Sequence, residues 1–310
     1  METRSLGPLE VTLVGLGCNN FGRRVDAPGT KAVVDAAIEV GINFFDTADV
    51  YGGGGVSEEY LGTALGSRRD DVLIATKFGM EMPDGRKGAH PDYVREACEA
   101  SLRRLGTDRI DLYQLHRPDP DVPFAATLGA LDELVKAGKV RAIGHSNMSA
   151  DGIAEADSVA SDKGLTRFVS AQEHWNVLER DVEEEVIPAT AAHGLGVLPY
   201  FPLASGLLTG KYKPGAEPDP TWRLGALPPD QQAKKLSDDK VAAAARLETF
   251  AADHGHSLLE LAFSWLASQP VVSSVIAGAT KPEQVIANAT AVAWNLDASA
   301  LAQIDALTGR

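Results

Sequence analysis

The sequence predicts an α/β protein whose strands close into a (β/α)8 TIM barrel, and three observations carry that prediction. Eight short apolar runs recur along the chain, each followed by a segment with helical punctuation. The first seven begin 27 to 38 residues apart, which is the length of one strand–helix unit. The runs are continuously apolar and do not alternate, as expected of parallel strands buried on both faces.

A short hairpin over residues 4–11, turning at Gly7 and Pro8, precedes the first run at 13–17. Thr30 stands as a helix cap before 31–40, which Gly41 closes, and the second run follows at 43–46. Ser57 precedes a helix over 58–65, closed by Gly66, ahead of the third run at 72–76. The fourth run, 110–115, is separated from the fifth, 140–146, by a segment that Pro123 opens and Gly138 ends. The sixth and seventh are 169–172 and 196–200, and the eighth is 272–276. The interval before the eighth is about twice the usual length. Its first part, 204–239, is rich in Pro and Gly and reads as a long loop, with helices expected near 239–254 and 258–268. No linker interrupts the units, so residues 1–310 read as a single domain.

A doubly wound sheet is the rival, because Gly15, Gly17 and Gly22 follow an apolar strand. A dinucleotide fingerprint of the G-x-G-x-x-G type needs its third glycine at position 20, which is Asn20. The barrel therefore stands.

Composition excludes several classes of function. A net charge of −14 with no basic cluster speaks against nucleic-acid binding. The longest uncharged run, 261–280, is broken by serines, Gln269 and Pro270, so no membrane span is expected. Two cysteines, Cys18 and Cys98, make no disulfide framework, and the first ten residues lack the apolar core of a signal peptide; a cytoplasmic location is expected. No metal is expected either, since His254 and His256 lack ligand spacing.

In such barrels the working residues lie at the C-terminal strand ends. There the second run ends in Asp46 and leads to Tyr51, the third leads into Lys77, and the fourth into His116. An ammonium beside a phenol is expected to lower the tyrosine pKa toward the working pH, with the acid fixing the ammonium. That set suits protonation of a carbonyl oxygen while another group delivers hydride.

The sequence resembles the aldo-keto reductase superfamily in Asp46-Thr47-Ala48-Asp49-Val50-Tyr51-Gly52, Asp111-Leu112-Tyr113-Gln114-Leu115-His116-Arg117, the segment from Gly138-Lys139-Val140 to Gly144-His145-Ser146-Asn147, and Gly278-Ala279-Thr280-Lys281-Pro282-Glu283-Gln284. The resemblance implies a catalytic set of Asp46, Tyr51, Lys77 and His116, and a barrel that binds NADPH, NADH being possible, to reduce a small-molecule carbonyl substrate. It assigns Gly17, Cys18 and Asn19, together with Asp46, to the cofactor, and Ser146, Asn147 and Gln172 to the nicotinamide carboxamide. Tyr200 is expected to stack on the nicotinamide. Phe201 departs from the Ser or Gly common at its place and leaves only its backbone for a phosphate; Pro202, Leu203 and Lys211 follow. Gly278, Thr280, Gln284 and Asn288 match positions around the 2′-phosphate. Thr280 replaces a common Arg and Ala287 a common Glu, which weakens the NADPH preference, and Lys281 could supply the missing charge.

The resemblance also admits a cofactor-sensing module of the potassium-channel β-subunit type, although those subunits depart from the histidine at position 116. An alcohol or sugar dehydrogenase working oxidatively is a third reading. Beside Tyr51 and His116, the aromatics Phe21 and Trp222 are expected at the substrate cleft, with Trp175 near it. Oligomeric state is not readable.

Overall fold

A computed structural model describes residues 1–310. Two short antiparallel strands come first, β1 (Thr3–Leu6) and β2 (Leu9–Thr12), joined at Gly7, whose φ of 58° lies in the left-handed region. Leu6, Leu9 and Val11 of this hairpin bury against Phe44, Ala75, Leu112, Ala142, Leu198 and Ile276, which come from barrel strands. The hairpin thereby covers one end of the barrel interior with apolar side chains.

Eight parallel strands form the closed barrel: β3 (Val14–Gly17), β4 (Phe44–Asp46), β5 (Leu73–Phe78), β6 (Ile110–Leu115), β7 (Val140–Ser146), β8 (Phe168–His174), β9 (Gly196–Tyr200) and β10 (Val275–Gly278). Their order is β10-β3-β4-β5-β6-β7-β8-β9, so each strand pairs with its sequence neighbour and β10 closes on β3. The register sets the height of the working ends: Gly17 pairs with Asp46, Lys77 with Gln114, Ser146 with Gln172 and His174 with Tyr200. The main core, 65 buried residues, lies between the strands and the surrounding helices. Where helix Val56–Leu65 meets Pro91–Leu105, a Cβ on Gly62 would stand 2.3 Å from the Leu105 carbonyl oxygen. No helix is long and apolar enough to cross a membrane.

Several expected boundaries are corrected. The eighth strand is Val275–Gly278, three residues later than expected. Val272 and Ser273 are spent on the Val197 edge, and the ladder to β3 starts only at Val275, opposite Val14. The first helix begins at Ala27, capped by Asp26, whose carboxylate accepts from the Gly29 amide; Thr30 is buried inside it. Ser57 likewise lies within a helix that starts at Val56, and its hydroxyl donates to the Cys18 carbonyl and meets Thr47 Oγ1. The stretch 204–239 is not one uninterrupted loop: it holds a tight turn at Ala204–Thr209 and a helix at Pro229–Lys235, which Pro229 starts.

Candidate active site

Asp46 is the hub of the barrel mouth. Its Oδ2 accepts from Lys77 Nζ at 2.7 Å, and its Oδ1 accepts from Gln172 Nε2 at 2.9 Å and Gln114 Nε2 at 3.2 Å. Lys77 is fully buried and donates a second bond to the Thr47 carbonyl, 2.8 Å away. Burial opposes the ammonium, but the Asp46 carboxylate and the Tyr51 phenol outweigh it, so the Lys77 pKa lies above its ordinary value.

Tyr51 follows β4 at the head of a glycine-rich turn, 5.8 Å from His116 ring to ring and edge-on to it, with Lys77 Nζ 5.1 Å from its own ring centroid. The expected fall in the Tyr51 pKa is corrected here. Burial raises it most, Lys77 pulls it down and Asp46 pushes it up, so the net direction is up. His116 is pushed down to about 3 by burial first and by Lys77 and Arg117 after it, so its imidazole is neutral across the ordinary pH range.

These groups open into a cleft of about 820 Å³ that runs to the start of helix Pro282–Thr290. Asn147, held at a φ of 56°, ties three strand ends together: its Nδ2 donates to Ser146 Oγ and the His116 carbonyl, and its Oδ1 accepts from Tyr200 Oη at 2.8 Å. The other non-glycine residues with positive φ are Phe201, Ala204 and Ser205, so every such residue in the chain borders this cleft or its adjoining turn. Backbone strain of this kind collects where a ligand is clamped.

The lining carries five cations, Arg24, Arg117, Lys211, Arg223 and Lys281, against one acid, Asp46, which Lys77 neutralises. None of the five forms an ion pair or a side-chain hydrogen bond, while cations elsewhere, such as Arg69, Arg104 and Arg180, are paired. Lys211 Nζ sits 5.3 Å from the ring centroids of both Tyr212 and Trp222, and the Arg223 guanidinium 5.1 Å from that of Phe201. Burial lowers the pKa of both, and Arg24 lowers each further. In a chain of net charge −14, a cleft of mutually repelling cations is set for an anion.

The structure brings together nearly all of the expected site. Gly17, Cys18, Asn19, Asp46, Tyr51, His116, Ser146, Asn147, Gln172, Tyr200, Phe201, Pro202, Leu203, Lys211, Trp222, Gly278, Thr280, Gln284 and Asn288 line the one cleft, with Lys77 directly behind Asp46. Phe21 is not among them: it is wholly buried in the core. Trp175 is also core, edge-on to Trp265 with its Nε1 donating to Glu183. In both cases the apolar ring found more burial behind the strand ends than at the mouth. Gln284 turns back on its own loop, its Oε1 accepting from the Thr280 amide and hydroxyl. Sequence reading missed Arg24, Met80 and Arg223, the last of which lies in the stretch 204–239 that reads as a long loop.

The comparisons agree with this arrangement. A family model described as "Aldo/keto reductase family" matches residues 13–308. A "Probable voltage-gated potassium channel subunit beta" of Oryza sativa subsp. japonica is 37% identical over 302 residues, covering 94% of this chain and 91% of that protein. The protein of the same description in Arabidopsis thaliana is 36% identical over 300 residues, covering 94% and 91%. A "Probable aldo-keto reductase 1" of Glycine max is 36% identical over 303 residues, covering 95% and 85%. With the barrel, its strand ends and a family match over nearly the whole length in agreement, the chain belongs to the aldo/keto reductase family.

Proposed function

We propose that the protein is an NADPH-dependent oxidoreductase that reduces an aldehyde or ketone to an alcohol, with Tyr51 as general acid. One observation carries the reading: a phenol, a neutral imidazole and a buried ammonium stand at one end of a cleft whose remaining length is lined by unpaired cations. The donor set fits a dinucleotide. Ser146, Asn147 and Gln172 offer amide and hydroxyl groups to a carboxamide, and Tyr200 offers a ring face. Arg24, Lys211 and Arg223 suit a pyrophosphate, and Lys281 stands beside Thr280 and Asn288 for the 2′-phosphate. Asn19 adds a buried Oδ1 that has no partner within the protein.

When bound, the reduced nicotinamide supplies hydride to the carbonyl carbon. Tyr51, whose raised pKa keeps its proton in place at neutral pH, gives that proton to the carbonyl oxygen as negative charge develops there. Lys77 stabilises the phenolate that remains, and Asp46 holds Lys77 in position. His116, neutral, donates a hydrogen bond to the same oxygen and orients it. Tyr51→Phe is expected to abolish carbonyl reduction and to leave NADPH binding within a few fold; normal turnover in that variant sinks the assignment. The same groups serve the oxidative direction on an alcohol or sugar, and the cellular cofactor ratio selects between the two.

A second reading, a cofactor-sensing regulatory subunit, is favoured by the names of the rice and Arabidopsis relatives. His116 in the working position argues for turnover. NADPH oxidation with a panel of small aldehydes decides: no turnover with any of them supports the regulatory reading.

A further inference from the structure

A dinucleotide's phosphates account for only part of the charge in the cleft. Arg24 bears electrostatically on both Lys211 and Arg223, so those three cations sit together, and Lys281 stands at the head of the helix after β10. Arg117 belongs to the other end. It directly follows His116, and its charge bears on His116 and on Tyr200. The residue is exposed and lines the cleft, and its guanidinium makes neither an ion pair nor a hydrogen bond. The acid nearest in sequence, Asp119, is already engaged: its Oδ2 accepts from the Ala89 amide and its Oδ1 from the Asp121 amide.

An unpaired arginine on an open surface is simply solvated. This one lines the cleft directly after His116, the group that orients the carbonyl. The overall charge of −14 would repel an anionic substrate unless a local cation received it. A guanidinium presents a planar fork that matches a carboxylate with two parallel hydrogen bonds, and one such group balances one negative charge. A phosphate dianion would need a second free cation, and Lys77, whose charge also bears on His116 and Tyr200, is already paired with Asp46. Met80, in the same lining, supplies apolar surface for the body of the molecule.

We propose that Arg117 recognises a carboxylate on the substrate, so that the compounds this enzyme reduces best are aldehydes or ketones carrying a carboxylate away from the carbonyl. The inference rests on the reading of the cleft as a reductase site.

The test compares 4-formylbenzoate with its methyl ester, which has nearly the same shape and no charge, as substrates with NADPH. The wild-type protein is expected to favour the acid by about tenfold or more in kcat/KM at low salt, mostly through KM, with the preference shrinking as ionic strength rises. In Arg117→Gln the ratio of the two substrates falls to about one, and in Arg117→Lys, which keeps a point charge without the fork, it lies between. A wild-type ratio at or below one, or a ratio that Arg117→Gln leaves unchanged, overturns the role of Arg117. Failure of the wild-type protein to reduce either compound sinks instead the reading of the cleft on which the inference stands.

Discussion

Replacing Asp46 with Asn isolates what the hub of the mouth contributes to the fold. Lys77 is fully buried and Asp46 is 3% exposed, so the substitution leaves a buried ammonium without its counter-ion. Breaking a buried ion pair from one side costs about 3–5 kcal/mol. For 310 residues the unfolding entropy is roughly 0.65 kcal/mol/K, so the expected fall in Tm is about 5–8 °C. The double variant Asp46→Asn/Lys77→Met removes both charges and should return to within about 1–2 kcal/mol of wild type, giving a coupling energy of several kcal/mol. Urea titrations of the four proteins at one pH, fitted with a common slope, measure the cycle. An Asp46→Asn protein within 1 °C of wild type would refute the reasoning, as would a double variant that loses the sum of the two single losses.

Further expectations follow from other buried groups. Burial raises Glu173 to about 8 and Asp49 to about 7, each also meeting opposing effects, so both hold a proton in the folded state that they lose when unfolded. Their contribution is fully present below the ordinary carboxylate range and is lost as pH climbs toward 8; Glu173→Gln should flatten the decline in stability between pH 5 and 8, read by denaturation at each pH. Burial holds His116 and His145 down near about 3, which acts in the opposite sense: stability present above pH 6.5 falls as acid is added. His145→Gln should soften that acid loss in the same assay. Gly62→Ala drives a Cβ into the Leu105 carbonyl and should cost about 1–3 kcal/mol by thermal melting, while Gly129→Ala, with open space around it in helix Phe124–Lys136, should gain about 0.5–1 kcal/mol.

The barrel was legible because each buried parallel strand leaves a continuous apolar run and each crossover helix leaves a cap or a closing glycine. Ile110–Leu115, Val140–Ser146 and Gly196–Tyr200 fall where the runs fall. β10 slipped because Ser273 and Ser274 split its run, and only pairing to β3 and β9 shows which half is strand. The caps were misplaced for a related reason. Thr30 and Ser57 are good N-cap residues, but their hydroxyls lie inside helices that begin earlier, and Ser57 serves β3 and β4 instead.

The candidate site divides along the same line. Asp46, Lys77 and His116 stand at strand ends, so strand spacing alone places them at one mouth. Arg24, Arg117 and Arg223 lie in loops, where sequence fixes a charge but not its neighbours. What sets them apart is that they line one cleft together and none of them is paired, although the chain holds 43 acidic residues against 29 basic ones. The cleft lining holds these unpaired cations against one carboxylate, Asp46, which Lys77 already holds, while Asp219 bears on Lys211 without pairing with it. That imbalance exists only in three dimensions, and it concentrates a positive field at the mouth of an otherwise negative molecule, where an anionic cofactor and an anionic substrate would both be drawn.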